Sequence, residues 1–406
     1  MAARSVDNGV DSFSGTRCRL FRGVRLYDGE HLRAARVAAG ISLRFMAARV
    51  HFTPSYLSLV ETGKRPVTPR LVLGYEDVLG PDALRRDAAD DDPSVEAWIE
   101  RINATDIPDG VLGYLDYSID DLAIAYPATA PSAVLEWALT SMRVARAMLD
   151  RRKTLGEHRR LMLTLGWFSL LAAACHVDLG HHLAARQRVR IARDISLEAE
   201  HSELTAWSMQ TMAWQQLTDG DFTVAATASQ VAQHVAPRDS TAFIQATAQE
   251  GRALARMGNR DGAYTALRAL ARLVSGIGDL EGVEHHFRFD PAKSDAYMAT
   301  ILAWLGDPAA ESFARQVISD LQEAEKPRPR RLATARLDLG LALLAAGRAD
   351  EAAETTLAAV ASGQLVPSAF WRLDEVVDGI ERVDSTRALR IRETFRELYP
   401  PQGPAR

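Results

Sequence analysis

Trp207, Gln210 and Trp214 stand at i, i+3 and i+7, so a helix through them puts two indoles on one face with an amide between them. Arg252 and Arg256 stand one turn apart and share a face in the same way. Such a set offers apolar walls, an amide for a backbone-like group and paired cations for a carboxylate. This is binding chemistry. The spacings of a phosphate loop, a dinucleotide site, a zincin or a nucleophile elbow are absent, so no catalytic residue, cofactor or enzymatic role is expected. The adjacent pairs His181-His182 and His285-His286 would point about 100° apart on a helix, a poor chelate, so no metal is expected. Cys18 and Cys175 are the only cysteines, which excludes a disulfide scaffold and a Cys-based zinc site. Cys175 reads as a small core residue.

The elements that must position these residues are helices. The chain has 406 residues, 47% apolar and 25% charged. That length exceeds one core of roughly 250–300 residues, and the balance is that of a globular protein. From about 94 to 399, apolar residues recur at helical spacing and Gly, Pro or Asp interrupts them every 15–20 residues. No alternating strand pattern appears, so the fold class expected is all-α. No run of about 18 apolar residues and no leader pattern is seen, which predicts no membrane contact and a cytoplasmic protein. Residues 1–80 carry 12 Arg/Lys against 7 Asp/Glu, and the remainder 36 against 46. A basic end on an acidic body suggests that this end meets a polyanion. The chain divides into a basic arm (1–27), a four-helix segment (28–80), a linker and linking helix (81–110) and a long helical region (111–400).

Within 28–80, Leu32 to Ala39 form an amphipathic helix stopped by Gly40, and Ser42 caps a second one from Leu43 to Val50. Thr53 caps a third, with Pro54 at its first position, and Thr68-Pro69 opens a fourth through Leu79. The pattern Leu32-Arg33…Arg36…Gly40-Ile41-Ser42, Ala47, Ser55-Tyr56-Leu57-Ser58…Val60-Glu61-Thr62-Gly63-Lys64-Arg65-Pro66 resembles the XRE (phage-repressor-like) helix-turn-helix family. Leu43 stands where that family often has Gln, and His51 where it usually has the turn Gly. The resemblance implies double-stranded DNA as partner, with Thr53 to Leu59 as recognition helix. Thr53, Pro54, Ser55 and Leu59 would then lie at the groove, and Arg44, Ser58, Lys64 and Arg65 along phosphates.

Farther on, Gly180, Gly220, Gly258, Gly306 and Gly347 are spaced 40, 38, 48 and 41 apart. Seven residues before each stands Ala173, Ala213, Gly251, Ala299 or Gly340; five after each stands Ala185, Ala225, Ala263, Glu311 or Ala352. Small side chains at fixed offsets let paired helices approach closely, with the glycine ending the first of each pair. The pattern is similar to a lengthened tetratricopeptide repeat, which implies an α-solenoid with a ligand groove on its concave face. Carried over residue by residue, that register places Trp167, Asp178, Trp207, Gln210, Trp214, Gln245, Arg252, Arg256, Lys293 and Trp304 on the inner wall.

A helix-turn-helix joined to such repeats resembles the peptide-pheromone receptors of Gram-positive quorum sensing. Those hold the peptide with Asn amides, whereas beyond residue 93 this chain has only Asn103 and Asn259. The resemblance implies a ligand-controlled transcriptional regulator; the few base contacts predict a homodimer, and the indoles, amide and paired cations of the groove predict a short peptide or a small acidic metabolite as effector. The competing expectation is a scaffold whose repeats dock proteins without specific DNA binding.

Overall fold

The structure is a computed structural model that describes residues 28–80, 83–84, 95–238, 240–275, 284–288 and 291–400. The basic arm 1–27, with Cys18, and most of the stretch 81–93 lie outside the described residues. Among those described, every regular element is a helix. The chain is all-α, with a helix-turn-helix region followed by a helical repeat-like bundle. It separates into two compact units, 1–101 and 102–406.

The first unit holds α1 (Gly29–Ala38), α2 (Leu43–Arg49), α3 (Pro54–Glu61) and α4 (Pro69–Leu79). Each begins on a side chain that accepts a backbone N–H: Asp28, Ser42, Thr53 and Thr68 respectively. Gly40, Gly63 and Gly80 take positive φ at the exits. His51 does the same in the α2–α3 turn, with φ 59°, so a residue that tolerates the left-handed region fills the place of a glycine. The core is Leu32, Met46, Ala47, Val50, Leu57, Val60, Leu71, Tyr75 and Leu84.

After α5 (Val95–Asn103), the second unit opens with α6 (Val111–Ala125) and α7 (Pro131–Leu149). Five helix pairs follow: α8/α9 (Leu155–Asp178, His182–Glu198), α10/α11 (Ser202–Asp219, Phe222–Val235), α12/α13 (Thr241–Arg256, Arg260–Ser275), α14/α15 (Pro291–Leu305, Ala309–Glu323) and α16/α17 (Pro329–Ala345, Ala349–Ala361). A closing pair, α18 (Phe370–Glu381) and α19 (Ser385–Leu398), ends the array. All five spaced glycines sit in the turn inside a pair, each with positive φ. The five small residues seven positions earlier are all buried. A Cβ on Gly251 would stand 2.9 Å from Ile301 Cδ1, and one on Gly340 would stand 2.8 Å from Thr356 Oγ1. Glu311, the exception among the alanines five residues after the glycine, is partly exposed and accepts from Arg315 and Arg348.

The first helices of successive pairs, α8, α10, α12, α14, α16 and α18, touch in that order and form one layer. By length and composition α8 is the most apolar helix of the layer and could cross a membrane, with a mean hydropathy of 1.5 over its best window. Of that window 72% is buried inside the protein, where it packs as a core helix.

Candidate functional site

In the first unit, packing divides the residues around α3 into two groups. Leu57, Val60 and Glu61 are buried, whereas Thr53, Pro54, Ser55 and Leu59 are exposed along the opposite side. Thr53 is held as a cap: its hydroxyl accepts from the Tyr56 N–H at 3.2 Å. Ser58 is half-buried. Arg44, Lys64 and Arg65 are exposed, as is Arg49, which the sequence reading did not select. Arg65 is not an untethered cation. Its guanidinium lies 5.2 Å from the centre of the Tyr56 ring, which stacks on Phe52 at 5.0 Å.

The carboxylate of Glu61 is turned inward. Arg36 donates to it through Nε and Nη2, both at 2.7 Å, and the Tyr75 hydroxyl donates at 2.6 Å. Arg36 also donates to the Ile41 carbonyl, so one buried guanidinium ties α1 to the α1–α2 turn and to α3. The bond to Glu61 raises the Arg36 pKa, and burial raises that of the Tyr75 phenol. Glu61 is the only acidic residue between His31 and Tyr75. With it neutralised, the exposed charges of that stretch are all positive. Residues 29–89 match a family model described as a helix-turn-helix domain. The N-terminal unit is a helix-turn-helix region. No curated protein matches the chain.

The second unit contains a cavity of about 270 Å³ lined mainly by the first helices of the pairs. Of the residues placed on the inner wall from sequence, Asp178, Trp207, Gln210, Trp214, Gln245, Arg252 and Lys293 line it. Trp167, Arg256 and Trp304 do not. Trp167 packs on Phe287, with ring centres 4.9 Å apart, and borders a separate depression with Asp120, Glu203 and His285. Arg256 turns to an ion pair with Glu375, and Trp304 lies beneath three guanidiniums, those of Arg252, Arg256 and Arg372.

Sequence reasoning missed Tyr126, His286, Tyr297, Arg330, Asp338, Trp371 and Arg372, which are also part of the lining. Two features bring them in. The first is residues 284–288, which reach to α6: the His286 N–H donates to the Ala123 carbonyl at 2.9 Å, and His286 packs on Tyr126. Burial holds the His286 imidazole well below its ordinary pKa. The second is the return of the array toward α8, where Asp178 meets Tyr126, Arg330 and Ser368. Only the indole at 371 and the repeat register could have signalled part of this set.

The cavity is rich in donors. Arg252, Lys293, Arg330, Arg331 and Arg372 line it against Asp178, Glu284 and Asp338. Arg330 pairs with Asp178 at 2.7 Å, Arg331 with Glu284 at 2.8 Å and Arg372 with Asp338 at 2.9 Å. Burial raises the Asp178 and Asp338 pKa values, while Arg330 and Arg372 pull the other way. Arg252 makes no ion pair among the described residues; its one side-chain bond is to the neutral Gln249 Oε1 at 3.0 Å. The indole N–H groups of Trp207 and Trp371 and the Arg252 Nε are buried without a hydrogen-bond partner. Cys175 is buried in the core, and that burial raises its thiol pKa, so it contributes packing rather than redox chemistry.

Proposed function

We propose that the protein is a cytoplasmic transcriptional regulator that binds double-stranded DNA as a homodimer and answers to an effector held in its repeat unit. The observation that carries the DNA reading is the internal neutralisation of Glu61. A surface with exposed Arg44, Arg49, Lys64 and Arg65 and no exposed carboxylate from His31 to Tyr75 suits a phosphate backbone. Ser55 and Leu59, also exposed, suit a polar base edge and a thymine methyl. Two copies are needed because so few base contacts read a half-site weakly, and paired domains read sites about one helical turn apart.

The test is to select genomic fragments with the full chain, sequence them, and follow affinity for the selected fragment against salt. A palindromic site, a steep salt slope and a dimer by sedimentation support the reading. Salt-independent or absent DNA binding would transfer support to a scaffold that docks proteins on its repeats.

A further inference from the structure

The cavity in the repeat unit carries a charge imbalance that its own residues do not resolve. A buried charge is expensive unless it is paired, and a buried donor without a partner forfeits its hydrogen bond to water. Arg372 and Arg330 each have a carboxylate; Arg252, 6% exposed, has none. The cost is visible in its own acidity: burial and the neighbouring Arg372 bring the guanidinium down to about 10, against the opposing pull of Tyr297 and Asp338. The Trp207 indole N–H, on a residue only 2% exposed, is a second orphan on the same wall. Opposite chemistry is supplied by Trp214, Val317, Leu321 and Val366, which give the cavity an apolar side.

We infer that this cavity binds an organic carboxylate with a compact apolar body, its carboxylate at Arg252 and its body against the indoles. This rests on the effector reading above and names the effector's chemistry. One unpaired guanidinium fits a monoanion, and its planar fork matches the two oxygens of a carboxylate. Size sets the second limit. A volume of about 270 Å³ is enough for one ring or branched chain with its acid group. Two sources present this chemistry: a free small acid, or the terminal residue of a short peptide with a free C-terminus. The indole N–H of Trp207 can take a further acceptor on either one.

The full-length protein is titrated with phenylacetate and indole-3-acetate, their amides, and the tripeptide Leu-Leu-Phe with a free or amidated C-terminus. Binding is followed by calorimetry and by thermal midpoint. The acid form should bind at least about tenfold more tightly than its amide, the factor that accompanies loss of a charge-assisted bond. Arg252→Met should abolish that preference and raise the thermal midpoint of the ligand-free protein, because the unpaired buried charge is gone. Should this variant fail to fold, Arg252→Lys, which keeps the charge but loses the fork, should retain part of the preference. Preference for the small acids identifies a metabolite site; preference for the free tripeptide identifies a peptide terminus. Equal binding of acid and amide, an unchanged preference in Arg252→Met, or no binding of any probe in the millimolar range overturns the proposal. Affinity for the selected DNA fragment is measured on the same samples. Acid binding that leaves DNA affinity unchanged keeps the carboxylate site and removes its effector role.

Discussion

Arg330, the second residue of α16, places its Nη1 2.7 Å from Oδ2 of Asp178, the last residue of α8, across 152 positions of sequence. In a linear repeat array each pair meets only its neighbours. Here the same Asp178 carboxylate also accepts from the Tyr126 hydroxyl at 2.6 Å and from Ser368 at 2.8 Å, and Arg330 reaches the Tyr126 carbonyl as well. The first and the last pairs are thereby tied across the cavity.

Breaking that tie from one side should be costly. Arg330→Met leaves Asp178 buried without its cation, a change of about 3–5 kcal/mol by the behaviour of buried pairs. Adding Asp178→Asn should recover a large part, since the uncompensated charge is then removed. Urea unfolding of the two variants measures both values, and equal stability of single and double variants would show that the pair is not coupled.

The clamp inside the helix-turn-helix makes a parallel expectation. Arg36→Met strands Glu61, and Gly29→Ala drives a Cβ to 1.8 Å from the Val60 carbonyl oxygen, where backbone must move. Each should loosen α1 against α3, with overpacking at Gly29 costing roughly 1–3 kcal/mol. Hydrogen exchange of the α1–α4 amides in the full chain reads this directly: faster exchange there with the repeat helices unchanged is the expected result.

On the DNA face, Lys64→Ala should weaken binding to all fragments alike and flatten the salt slope by about 0.9, the value of one phosphate contact. Arg65→Ala should do the same and also release Tyr56, over which its guanidinium lies, so it alone should lower the thermal midpoint. Ser55→Ala should instead change preference at one base pair, seen by repeating the fragment selection. A Lys64→Ala protein with wild-type slope would remove that residue from the phosphate path.

Acid should unfold the protein earlier than its surface charge suggests. Burial lowers the pKa values of His176, His285 and His286, that of His176 to about 4. Between that value and the ordinary histidine range near 6.5, the unfolded chain binds protons that the folded chain refuses. Their contribution is therefore complete above about 6.5 and is lost as pH falls toward 4. Urea midpoints taken through that window should decline, and His286→Gln should shallow the decline.

Much of this was legible in the sequence because it is local. Caps at Ser42, Thr53 and Thr68 and the left-handed positions at Gly40 and His51 depend on residues within one turn of each other. The five glycines and the small residues seven before them announce close helix pairs, since only small side chains permit that approach. Trp207, Gln210 and Trp214 face the cavity because a helix fixes their common side once its neighbour is known. Where that rule was carried to Arg256 and Trp304 it failed. Glu375 draws one away, and the stacked guanidiniums of Arg252 and Arg372 enclose the other.

The sequence by itself determined the helices, their caps, their pairing and the cationic character of residues 1–80. Tertiary structure alone decided that Glu61 is silenced by Arg36, that residues 284–288 reach α6, and that Arg330 returns to Asp178. The physical reason is range. Helix period and turn geometry act over a few residues and leave a pattern in the chain. The fate of a charge depends on which partner lies within about 3 Å after every preceding pair has added its rotation. That sum over five pairs is written in no local spacing, and it is what leaves Arg252 as the one cavity cation with neither an ion pair nor a backbone hydrogen bond among the described residues.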